Sequence, residues 1–152
     1  MRSGLVFLVL LSAGCTATTG TVTLDIPAGG SGSAIVRTSL TPTEQDHEAT
    51  FRIHYEITPL VHEDEGGGLH ATLEMGDVSI DAAEYLFGAD DGLTGDLRAG
   101  DLDGSCSVGE TCLTTARVIF ESLGDASSAV TLYASITMED GDAEIEVVIS
   151  EQ

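Results

Sequence analysis

Residues 51–57 read FRIHYEI and alternate strictly. In an extended chain Phe51, Ile53, Tyr55 and Ile57 take one side, and Arg52, His54 and Glu56 take the other. The same period of two recurs elsewhere. Residues 21–26 place Val22, Leu24 and Ile26 on one face, and residues 69–75 turn Leu69, Ala71, Leu73 and Met75 inward. In 115–121 the inward pair is Val118 and Phe120, and 130–138 and 143–149 alternate strongly. Residues 34–40 and 78–82 are two further strand candidates. Only 81–87 (DAAEYLF) has a composition that could form a turn of helix.

Turn chemistry separates these runs. PAGGSGS at 27–33, TPTEQDHE at 41–48 and EDEGGG at 63–68 read as loops, and Gly76-Asp77 as a tight turn. Asp140-Gly141, between two alternating runs, is a strong hairpin signal. Residues 88–109, rich in Gly and Asp, read as one long connection. About eight short strands with almost no helical period argue an all-β, antiparallel β-sandwich, immunoglobulin-like or a similar Greek key. A small barrel is the alternative. The chain has no Trp, so the Cys…Trp…Cys pattern of a true immunoglobulin domain is absent.

The first residues follow a different rule. Arg2 precedes a seven-residue apolar run at 5–11 (LVFLVLL), and Ser12, Ala13 and Gly14 follow it. A positive start, a short apolar core and a small-residue exit make an export signal. The run is far short of the roughly 20 apolar residues a spanning helix needs. Ser12-Ala13-Gly14-Cys15 resembles the lipobox of bacterial lipoproteins, with Ser12 where that family usually has Leu. The resemblance covers residues 1–15 and implies cleavage before Cys15 and acylation of its sulfur. It divides the chain into a signal peptide (1–14), a lipidated tether (15–20) and one β-sandwich domain (21–152). Thr16 after the lipid cysteine implies, in that family, onward transport to the outer membrane or cell surface, with the domain in the periplasm or outside.

That assignment resolves an odd cysteine count. Of three cysteines, Cys15 takes lipid, leaving Cys106 and Cys112 in CSVGETC. In an oxidising compartment such a pair reads as a disulfide. Zinc would need two further ligands, and no His follows position 70. From Cys15 onward, four Arg stand against 26 Asp and Glu, a formal charge of −22. Such a surface repels nucleic acid and anionic headgroups, so the membrane is held through acyl groups alone. Lys and Asn are both missing. Both have A-rich codons, so a GC-rich genome accounts for the two absences but not for the excess of acid.

Two clusters are candidates for metal chemistry. His47, His54, His62 and His70 fall within 24 residues. A hairpin turning at Gly66 would set His62 opposite His70 on the outer face, near Glu63 and Asp64, as a weak copper or zinc site. Asp90, Asp91, Asp96, Asp101 and Asp103 crowd the 88–109 stretch, where an irregular calcium site is conceivable, with Asp101 and Asp103 the nearest candidates. The EF-hand template fails from Asp101, because position 12 is Cys112. No metal ligand and no cofactor is assigned on this basis. The chain contains no G-x-S-x-G, H-E-x-x-H, P-loop or G-x-G-x-x-G. The expectation is a lipid-anchored envelope protein acting as a structural or binding module without catalysis, its protein partner unnamed by the sequence. The alternatives are a divalent-cation-binding surface protein and a hydrolase without a recognised motif.

Overall fold

The computed structural model describes residues 17–61, 68–75, 78–86, 94–101, 106–124 and 127–152. Nine strands lie among them: β1 (Ala17–Ile26), β2 (Ser31–Pro42), β3 (Glu48–Val61), β4 (Gly68–Met75), β5 (Val78–Leu86), β6 (Thr94–Asp101), β7 (Cys112–Leu123), β8 (Ser127–Asp140) and β9 (Ala143–Glu151). They form two antiparallel sheets, one in the order β1-β8-β3-β6 (sheet A) and one in the order β5-β4-β7-β2-β9 (sheet B). The sheets stack as a sandwich and do not close into one barrel.

The pairing is nested. β4 pairs with β5, β3 with β6, β2 with β7 and β1 with β8, and the β3·β8 and β4·β7 ladders stitch these pairs into sheets. A long antiparallel ribbon folded over on itself gives this order, which is the jelly-roll winding of two Greek keys. β9 adds to sheet B beside β2. Among the described strands only β4 and β5 are successive and share a sheet. All the other successive strands lie in opposite sheets.

Alternation makes the core. Sheet A turns in Leu24, Phe51, Ile53, Tyr55, Val130, Leu132 and Ile136, and sheet B answers with Val36, Leu69, Ala71, Val118, Phe120 and Ile149, all buried. Fully burying a side chain such as Phe51 or Phe120 stabilises the fold by roughly 2–3 kcal/mol. On one side the sheets touch directly. A Cβ on Gly20 of β1 would meet Ile149 Cγ2 of β9 at 3.0 Å. At one end, Thr43 donates its N–H to the Asp142 carbonyl, and Gly141 has φ +73. A Cβ at Gly141 would run into the Asp46 carbonyl oxygen and the His47 backbone, so the position needs glycine for both space and conformation.

Four expectations need correction. The helical turn expected at 81–87 does not form over 81–86; strand β5 runs through to Leu86, because its partner β4 supplies a ladder that local composition does not reveal. The 88–109 stretch is not one loop, since it contains β6, paired along β3 with a bulge at Ile53/His54. No hairpin forms around Gly66, because β3 belongs to sheet A and β4 to sheet B. Asp140-Gly141 likewise carries the chain from β8 in sheet A to β9 in sheet B instead of closing a hairpin. The strand faces themselves stand as read, and Gly76-Asp77 lies between the paired strands β4 and β5.

Candidate functional site

The outer face of sheet A is built by the strand positions between the buried ones. Cross-strand pairing sets Thr21, Tyr133, His54 and Asp96 in one row, on β1, β8, β3 and β6 in turn. The flanking rows are Thr19, Ser135, Arg52 and Ala99 on one side and Thr23, Thr131, Glu56 and Thr94 on the other. Three inter-strand spacings make the face about 14 Å wide. Every outward residue of these three rows is polar except Ala99.

At its centre the side chains are tied together. Arg52 donates Nε–H to Asp96 Oδ1 at 2.7 Å, and His54 Nδ1 lies 3.0 Å from the same oxygen. The guanidinium beside Asp96 holds its carboxyl below the usual range, against the opposing effect of burial, with His54 assisting. The same contact raises Arg52. An ionised Asp96 only accepts, so His54 Nδ1 carries the donated proton. On the other side of the ring, His54 Nε2 is 4.0 Å from Glu56 Oε1. The Tyr133 hydroxyl donates to Glu56 Oε2 at 3.3 Å. Desolvation, and then the Glu56 charge, push that phenol above its ordinary value. The Tyr133 and His54 rings lie 6.0 Å apart, tilted by 41°. The two carboxylates flank the imidazole on opposite edges, so they do not converge on a point where a cation could sit.

Among the described residues, the metal candidates of the sequence are not brought together. His54 lies on the outer face of sheet A, and His70 alternates with buried Leu69 and Ala71 on the outer face of sheet B. His47 sits in the 43–47 segment, its Nδ1 3.2 Å from the Glu44 carbonyl. His62, Glu63 and Asp64 lie outside the described residues. The proposed His62–His70 pair loses its basis with the hairpin that would have formed it. Asp101 ends β6 opposite Thr50, Asp96 belongs to the sheet A network, and Asp90, Asp91 and Asp103 lie outside the described residues. Among the described residues, no group of three or more His, Cys, Asp or Glu could hold a metal ion.

Cys106 and Cys112 form a disulfide, with Cα atoms 6.0 Å apart. Inside it Glu110 N–H bonds to the Ser107 carbonyl, and Gly109 takes φ +78 at the third turn position. The Gly109 N–H docks the loop on the Pro42 carbonyl at the end of β2. The Cys106 sulfur rests 3.3 Å from the Glu110 carbonyl oxygen, and Thr41 and Thr111 share a 2.8 Å hydroxyl contact. Gln45, His47, Cys106, Ser107 and Val108 line an open groove of about 630 Å³ here, and these described residues offer one imidazole and no carboxylate. Cys15 lies outside the described residues.

The network on sheet A was only half visible in the sequence. Arg52, His54 and Glu56 share the outward side of the clearest strand, but Asp96 and Tyr133 reach them only through the β6 and β8 pairings. Set against known protein families, characterised proteins and solved structures, the chain gives no match.

Proposed function

We propose that this chain is an exported, lipid-anchored envelope protein whose sandwich is a non-catalytic binding module, with the outer face of sheet A as its binding surface. The reading rests on one observation: Arg52, Asp96, His54, Glu56 and Tyr133 form a paired network on the outer face of sheet A. A surface of this kind presents fixed donors and acceptors to a large ligand. Asp96 at its centre is kept ionised by Arg52 and is not held proton-ready for acid catalysis. The apolar leader ending at Cys15 supports the anchor, and the high negative charge supports attachment through lipid instead of through basic residues.

Two measurements test this reading. Mass spectrometry of native material should find a mature chain beginning at acylated Cys15; an intact Met1 or a bare thiol at Cys15 would refute the anchor. The exported full chain carrying Cys15→Ser should still co-sediment with washed envelopes of the source cell, and Arg52→Ala should weaken that association. Co-sedimentation unchanged by Arg52→Ala would refute the binding surface.

A further inference from the structure

Building on that reading, we propose that the outer face of sheet A binds a neutral saccharide chain, with a sugar ring stacked on Tyr133 and its hydroxyls bonded to Arg52, Asp96 and Glu56. Elimination by chemistry leads there. Apolar partners find little to hold, because no Leu, Ile, Val, Phe or Met points outward from residues 18–26, 48–58, 94–100 and 127–140, where Ala99 and Ala129 are the outward apolar side chains. Anionic ligands meet a chain of net charge −21, and Arg52, the central cation, is already neutralised by Asp96 at 2.7 Å. Cations find two carboxylates on opposite edges of His54, each engaged by a donor.

What the face does offer is hydroxyls and paired polar groups. Thr19, Thr21, Thr23, Thr50, Thr58, Thr94, Thr131, Ser135 and Thr137 surround the network. A polyhydroxylated, uncharged polymer is complementary to this in charge and in hydrogen bonding. Its hydroxyls donate to Asp96 and Glu56 and accept from Arg52, and bonds to ionised partners are the stronger kind. The Tyr133 ring supplies the flat apolar contact that the C–H side of a sugar needs, with its phenol already fixed by Glu56. Because the contacts already exist within the sheet, little side-chain entropy is lost on binding.

Affinity electrophoresis of the exported full chain carrying Cys15→Ser tests this. The gels contain a soluble β-glucan, a galactomannan or dextran as neutral probes, and alginate as the anionic comparator. At least one neutral polymer should retard the chain and alginate should not. Tyr133→Ala should weaken retention about tenfold or more, and Asp96→Asn should weaken it less. Val148→Thr, on the outer face of sheet B, should leave it unchanged. Circular dichroism and Tm confirm that each variant is folded, and if Tyr133→Ala is not, Glu56→Gln takes its place. Retardation by none of the neutral polymers, or retention that survives both Tyr133→Ala and Asp96→Asn, overturns the inference. Loss of envelope co-sedimentation on Tyr133→Ala without any retention by neutral polymers overturns the saccharide assignment alone and leaves the binding-module reading standing.

Discussion

The two outer faces of this sandwich obey the same alternation and cover the same core, yet they differ in chemistry. On sheet A the exposed positions carry hydroxyls and a tied polar network. On sheet B they carry Glu74, Glu121, Glu144 and Glu146 together with Ile35, Ile119, Val148 and Leu113, the last 77% exposed. An ion pair there, Arg117 to Glu74, is looser at 3.6 Å. Folding requires only that the inner positions be apolar, and both sheets meet that requirement equally. What separates the outer faces is therefore free of the fold's demands, and it is there that function is to be sought. The glutamates along β9 also protect an edge strand of sheet B from pairing with another chain.

The comparison can be broken from the inside first. Phe51→Ala in sheet A and Phe120→Ala in sheet B should each destabilise by about 3–5 kcal/mol, since both side chains are fully buried. Denaturant titration that found one far milder than the other would mean that the sheets do not share the core equally. Next come the turns. Gly141→Ala should cost about 3 kcal/mol, because a left-handed backbone and a collision with the 46–47 backbone coincide there. Gly29→Ala, with φ +66 but open space, should cost about 1 kcal/mol. Removing the cystine by Cys106→Ser with Cys112→Ser should lower stability by about 2 kcal/mol, the chain-entropy value for so short a loop. It should leave ligand retention by sheet A intact, because the loop docks on the end of β2 in sheet B.

The smallest effect sharpens the electrostatic side. The folded-state pKa of Asp96 is depressed, so its stabilising contribution is present above the ordinary carboxylate pKa and is lost as pH falls through the lower folded value. Asp96→Asn should lower Tm by about 2 °C at pH 7, as for an exposed pair, and the deficit should close as pH falls through the depressed folded-state pKa. A deficit that grows on acidification would contradict the pairing with Arg52.

The sequence was most legible where burial repeats every second residue. Phe51, Ile53, Tyr55, Leu69, Leu73, Val118 and Phe120 face inward as their spacing requires. Partner choice was not legible, because a short turn between alternating runs looks the same whether it closes a hairpin or crosses between sheets. Asp140-Gly141 has hairpin chemistry and serves a crossing. β5 was obscured by Ala82, Ala83 and Glu84, and β6 by its Gly and Asp residues, so for each the ladder supplied by a neighbouring strand decided the outcome. The Arg52–Asp96 bond joins residues 44 apart in the chain and depends on that hidden strand.

Hydroxyl-radical footprinting of the exported Cys15→Ser chain, with and without washed envelopes, tests the central claim most directly, since both faces carry reactive side chains. The account predicts that Tyr133 and His54 are protected while Leu113, Ile119 and Val148 react as in the free chain. Protection of Leu113, Ile119 and Val148 with Tyr133 unchanged would contradict it and move the binding surface to sheet B.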